Sequence, residues 1–122
     1  MHAMPQSDFA EFLPGLRRRW QQEQTARRQM RAAALKHAAE AAQILRERYQ
    51  ARRVIVFGSA ARDGVFDDRS DIDLAVEGLD PADFFKAWTE ILRGSPCEID
   101  LVDLAKCPPS LRDNIEREGL QL

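Results

Sequence analysis

The periodicity of the chain changes at residue 54, and this change constrains the fold more than any other feature. Before it, Met30, Ala34, His37/Ala38, Ala41, Leu45 and Tyr49 recur at steps of three and four, which is one apolar stripe of a helix. The stretch is rich in Ala, Arg, Gln and Glu and predicts a long helix from about Leu16 to about Tyr49. After it, Val54-Ile55-Val56-Phe57 is a short apolar run between Arg-Arg and Gly-Ser, which reads as a buried strand.

Upstream, Asp8 with Glu11 reads as a capping box before Phe9, Phe12 and Leu13, a weak first helix that Pro14-Gly15 breaks. Residues 21–29 are almost entirely polar and are expected to project from the domain or to await a partner. Arg17-Arg18-Arg19 beside Trp20 is either a solvated face or an interaction surface. Downstream, Ser59 to about Asp63 starts a short helix, and Asp63 to Ser70 is a polar loop. Asp71 to Val76 alternates as a second strand. Asp80-Pro81 opens a helix to about Leu92, with Phe84, Phe85, Trp88, Ile91 and Leu92 as its apolar face. Cys97 to Val102 is a third strand, with Cys97 buried in it. Pro108-Pro109 introduces a last helix, Ser110 to Glu118, which Gly119 stops. His37 reads as a packing residue on the apolar stripe. The order predicts an α+β, α/β-like domain with a small sheet flanked by helices and a long N-terminal helix. We divide it into an N-terminal helical extension, 1–29, and a domain, 30–122.

The chain has 122 residues, enough for one core. Its longest strictly apolar runs are four residues, so no segment of it spans a bilayer. Residues 1–12 lack the basic and apolar regions of a secretory signal. Cys97 and Cys107 lack C-x-x-C spacing and are expected as reduced thiols, with a cytoplasmic location. Residues 1–53 carry eleven Lys and Arg against five Asp and Glu; residues 54–122 carry seven against fifteen. Such a split suggests different partners for the two halves.

The chemistry concentrates in Gly58-Ser59 and Asp71-Ile72-Asp73. Along a strand Asp71 and Asp73 would share one face, where two carboxylates repel unless a cation lies between them. Carboxylate oxygen suits Mg²⁺, which completes its shell with water and substrate phosphates. Asp100, in the next strand, can join the pair. A strand ending in Gly-Ser offers N–H groups and a hydroxyl to an anion, and Gly lets the backbone come close to a phosphate. Each motif alone is weak, since Gly-Ser is usually a turn and Asp-x-Asp usually a solvated edge. Their joint order is specific.

Gly58-Ser59-Ala60-Ala61-Arg62, Ser70-Asp71-Ile72-Asp73-Leu74 and Ile99-Asp100-Leu101-Val102 together resemble the DNA polymerase β-type nucleotidyltransferases. Within that superfamily the chain is similar to the minimal nucleotidyltransferases (MNT), often encoded beside a HEPN-domain protein. The resemblance covers about residues 35 to 122 and implies a small mixed sheet of the nucleotidyltransferase fold. It implies that Gly58 and Ser59 hold a triphosphate; Arg62, read from the residues alone, is either a phosphate contact or an exposed Arg on the short helix. It implies that Asp71 and Asp73 bind metal and that Asp100, the third metal-site carboxylate, helps to deprotonate the attacking hydroxyl. The implied cofactor is one or two Mg²⁺ ions, and the implied substrate is ATP. Two departures fall in the loop: Asp63 stands where the family has Gly, with Gly64 one place later, and eleven residues separate Ser59 from Asp71, one more than usual.

The reading implied by the resemblance is a Mg²⁺-dependent transfer of AMP to a protein acceptor, a HEPN toxin, by an antitoxin. The alternative is a catalytically weak or silent antitoxin-like module that neutralises its partner by contact. Self-association stays open. Direct nucleic-acid binding through the basic helix is disfavoured by the acidic second half and by the lack of a helix-turn-helix or stacking pattern.

Overall fold

The structure, a computed structural model, describes the backbone of residues 6–122 and the side chains of residues 13–122. Helix α1 (Gln6–Tyr49) leads into strand β1 (Arg53–Phe57) and a one-turn 3-10 helix (Gly58–Ala61). Strand β2 (Ile72–Glu77) follows, then helix α2 (Phe84–Arg93), strand β3 (Ile99–Asp103), helix α3 (Pro109–Glu118) and a two-residue strand β4 (Leu120–Gln121). The sheet order is β3-β2-β1-β4. β2 runs parallel to β3, while β1 is antiparallel to β2 and to β4, so the sheet is mixed as expected.

Alternation gives the sheet two apolar faces. On one, Val54, Val56, Ile72, Leu74, Val76, Ile99 and Leu101 pack against α1 and α2. α1 brings Ala34, Ala38, Ala41, Ala42 and Leu45, so the small side chains of the predicted stripe lie against the sheet. On the other face Ile55 and Ala75 meet Leu104 and Ile115 of the α3 layer. Arg53 ties that layer together at its far end: it bonds Glu77 across the β1–β2 pair at 2.9 Å and makes a forked pair with Glu116 on α3. These bonds hold both carboxyls below the usual carboxylate range.

Several elements differ from the sequence reading. α1 does not break at Pro14-Gly15 but continues through them. Proline removes one N–H, and the strong helix formers on its C-terminal side carry the helix on. The expected Asp8–Glu11 capping box lies outside the described side chains. β2 begins at Ile72 rather than Asp71, because the chain is still leaving a turn in which Ser70 N–H donates to Asp67 O. β3 begins at Ile99 rather than Cys97, because Ser95 Oγ bonds the N–H and C=O of Cys97 and holds it out of the ladder. Cys97 is therefore half-buried, not buried. On α2 only Ala87 and Ile91 are buried; Phe84 and Trp88 are half-buried and Phe85 is 73% exposed, since adjacent helical positions diverge in direction. Trp88 has a second role, donating its indole N–H to Ile99 O at 2.7 Å. Glu98 O accepts from Ile72 on β2, so the next carbonyl, on Ile99, faces the free edge of the sheet, and Trp88 covers it there.

β4 exists because the chain after α3 passes very close to β1. A Cβ at Gly119 would lie 2.4 Å from Ile55 Cγ2 and 2.5 Å from Ile115 O. Gly119→Ala should therefore lose about 1–3 kcal/mol of stability by overpacking. Chemical denaturation checks this, and a midpoint equal to that of the parent would show that β4 is not held by this approach.

Candidate active site

Asp73 and Asp100 are built onto one face by strand register. Within β2, Asp73, Ala75 and Glu77 point toward the α3 side, while Ile72, Leu74 and Val76 fill the opposite core. Asp73 pairs in register with Asp100 on β3 and with Phe57 on β1. Directly paired residues on adjacent strands share a face about 5 Å apart. Asp73 is half-buried, whereas Asp71 and Asp100 are exposed. No ion pair among the described residues involves any of the three. Burial first, and then the charges of Asp100 and Asp71, push the Asp73 carboxyl above its usual range. Asp71 thus belongs to the cluster by proximity, although it precedes the strand.

Gly58 completes this arrangement from β1. It follows Phe57, the register partner of Asp73, and has a φ of +71°. A Cβ there would lie 2.3 Å from Asp73 Oδ2. Glycine is required twice, for the left-handed backbone and for the carboxylate that crosses it. Gly58 opens the one-turn helix Gly58–Ala61, and no side chain caps its first N–H groups. Ser59 is half-buried in this turn. The structure therefore brings Gly58, Ser59, Asp73 and Asp100 to one end of the sheet, with Asp71 beside them. Arg62, just past the turn, bonds Glu118 on α3 at 3.2 Å.

Among the described residues, no three His, Cys, Asp or Glu side chains converge tightly enough to hold an ion unaided. Mg²⁺ does not need such a cage, since it commonly takes one or two carboxylates and completes its shell with water and phosphate. The uncompensated Asp73–Asp100 pair, with a Gly-Ser turn lying against it, is a donor set of that kind. A groove of about 420 Å³, lined by Phe84, Phe85, Val102, Asp103, Lys106 and Leu111, includes none of Asp71, Asp73 and Asp100. Sequence reasoning missed the contact between Gly58 and Asp73, which depends on register, and the Arg62–Glu118 pair, which no local pattern signals.

The family model described as Polymerase beta, Nucleotidyltransferase matches residues 39–122. A solved structure of a candidate minimal nucleotidyltransferase is 33% identical with a TM-score of 0.60, covering 72% of this chain and 92% of that one. A toxin-antitoxin crystal structure with AMP-PNP is 25% identical with a TM-score of 0.60, covering 69% and 70%. A tri-AMPylated Shewanella oneidensis HEPN toxin in complex with an MNT antitoxin shares the fold at 22% identity and a TM-score of 0.56, covering 72% and 70%. No curated protein matches the chain.

Two outcomes follow from the charge and the close approach. Because folding raises the Asp73 pKa, its ionised form opposes folding at neutral pH, and that opposition fades as pH falls through the raised value. Asp73→Asn should melt higher than the parent at pH 7 without metal, and the gain should shrink in acid; a gain constant with pH would deny the charge origin. Gly58→Ala should lose about 1–2 kcal/mol from the left-handed backbone alone, and more by displacing Asp73. Urea unfolding of that variant reads the loss.

Proposed function

Because the chain belongs to the polymerase β nucleotidyltransferase family, we propose that it transfers AMP from ATP to a hydroxyl of a protein acceptor. The acceptor class is a HEPN toxin and the role is that of an antitoxin. The relatives that share the fold include an MNT antitoxin in complex with a tri-AMPylated HEPN toxin, and that support is by analogy of fold. The observation that carries the chemistry is the register of Asp73 with Asp100 beside Gly58. We divide the chain for this purpose into a helical extension, 1–29, and a nucleotidyltransferase domain, 30–122.

Each residue has a role in this reading. Gly58 and Ser59 donate N–H groups and a hydroxyl to the triphosphate, and Gly58 lets it approach the carboxylates. Asp71 and Asp73 would hold Mg²⁺, and Asp100 would complete its site. When bound, the ion neutralises phosphate charge and the mutual repulsion of the carboxylates. Asp100, more exposed than Asp73, accepts the proton of the attacking acceptor hydroxyl. That oxygen bonds to the α-phosphorus, the bond to the bridging oxygen breaks, and pyrophosphate leaves. Arg62 is shared with Glu118 on α3, which one of its Nη groups bonds. No described helix is long and apolar enough to cross a membrane.

A second reading is a silent antitoxin that acts by contact alone. The polar, basic first part of the long helix and the longer Ser59–Asp71 loop favour it.

The test incubates the full chain and a HEPN-type toxin with Mg·ATP, then measures pyrophosphate release and AMP added to the toxin by mass. Asp73→Asn and Asp100→Asn should each lower pyrophosphate release about 100-fold or more. Ser59→Ala should weaken Mg·ATP binding by about 1 kcal/mol. A parent that neutralises the toxin without adding AMP supports the contact reading instead.

A further inference from the structure

The part of α1 that precedes the family match grips the loop that joins the two halves of the candidate site. The matched region begins at residue 39. Arg31, two turns earlier, donates its Nε–H to Ala60 O at 2.9 Å. Ala60 is fully buried in the one-turn helix that starts at Gly58. Its carbonyl lies at the C-terminal end of that turn, where carbonyls lack intrahelical partners and a cation is favourable. One turn before Arg31, Arg27 donates to Gly64 O at 3.4 Å; the Asp67 carboxyl beyond it is held low first by hydrogen bonds from Arg69 N–H and Ser70 Oγ, with the Arg27 charge adding a little. Phe66, from the same loop, is buried in the core that α1 helps to form. The helix thus holds the Ser59–Asp71 loop at Ala60, Gly64 and Phe66, on the strand-to-strand connection that carries Gly58-Ser59 at one end and Asp71 at the other.

We propose that Arg31, with Arg27 behind it, is a positioning residue for the nucleotide, supplied from the part of α1 that precedes the family-matched residues 39–122. It fixes the Gly58–Ala61 turn from its C-terminal end, so that the N–H groups at its start stay aimed at the triphosphate. The loop has one residue more than the pattern it resembles, with Asp63 before its glycine, and a longer connection gains more from an external anchor. The inference rests on the nucleotidyltransferase reading for its consequence, but the anchoring itself does not.

The experiment compares the full-length parent with Arg31→Ala, Arg31→Lys and, as a control, the exposed Arg28→Ala. Amide hydrogen exchange over residues 58–70 is measured without nucleotide, and Mg·ATP affinity is measured by calorimetry. Arg31→Ala should speed exchange in 58–70 and weaken Mg·ATP about tenfold, the scale of one charge-assisted hydrogen bond. The core strands should exchange as in the parent. Arg31→Lys should recover part of both effects, and Arg28→Ala should change neither. Unchanged loop exchange in Arg31→Ala overturns the proposal. So does faster exchange with unchanged affinity in a parent that binds Mg·ATP. Faster exchange in a parent that binds no Mg·ATP upholds the anchor and removes the nucleotidyltransferase reading instead.

Discussion

Strand β2 is paired on both edges and covered on both faces, and the rest of the domain is arranged around that requirement. Its antiparallel neighbour β1 and its parallel neighbour β3 satisfy its backbone. α1 and α2 cover Ile72, Leu74 and Val76, while the α3 layer covers Ala75. A central strand of this kind has little room for charge. Asp73 is nevertheless placed within it, one residue from its start, half-buried on the α3 side. The register then leaves no choice about company: Phe57 stands on one side and Asp100 on the other.

α1 acts on this sheet in two ways. Its alanines let the helix axis approach closely, so the sheet is covered with little side-chain bulk. The same helical face, followed toward the N-terminus, changes from alanine to Arg31 and Arg27, whose side chains reach loop carbonyls. Further out, Leu16 and Trp20 are exposed, Trp20 to 60%, and Arg17, Arg18 and Arg19 are exposed with them. One continuous helix therefore supplies core, loop anchor and free surface in succession. A helix that touches its own domain over only part of its length keeps its outer end helical through its strong formers and its continuity with the packed end.

What the sequence could disclose follows from how local each feature is. The alternation of Ile72, Leu74 and Val76 with Asp73 and Ala75 made β2 legible, and the joint order of Gly58-Ser59, Asp71-Ile72-Asp73 and Asp100 pointed to the candidate site. The alanine stripe of α1 was equally plain. Strand ends were not, because Ser70 and Cys97 are held by turns whose bonds lie in the fold. Two-residue β4 has no periodicity to read and depends on the close passage of Gly119 over β1. Pro14 taken alone signals a helix end, but the strong helix formers that follow it carry the helix on. Phe85 misled because its neighbours Phe84 and Trp88 do pack, although a helix turns Phe85 away. The anchor at Arg31 was hidden because an arginine in a polar helix has the same local pattern whether it meets water or a carbonyl.

The two ends of β2 carry opposite electrostatics on one face. At the C-terminal end Glu77 is matched by Arg53, which also binds Glu116 of α3, and these bonds lower both carboxyl pKa values. That contribution is present above the ordinary carboxylate range and is lost as pH falls through the lowered values. At the N-terminal end Asp73 faces Asp100 and Asp71 with no cation, and its raised pKa is a cost that acid relieves. Three residues separate Asp73 from Glu77, so the matched and unmatched charges stand on the same rigid strand. The matched end, with the aliphatic core, holds the strand in register, and that register keeps the unmatched carboxylates together against their repulsion. Charge left unsatisfied by the fold at one end of a well-paired strand is the condition in which a cation and a polyphosphate find binding energy waiting.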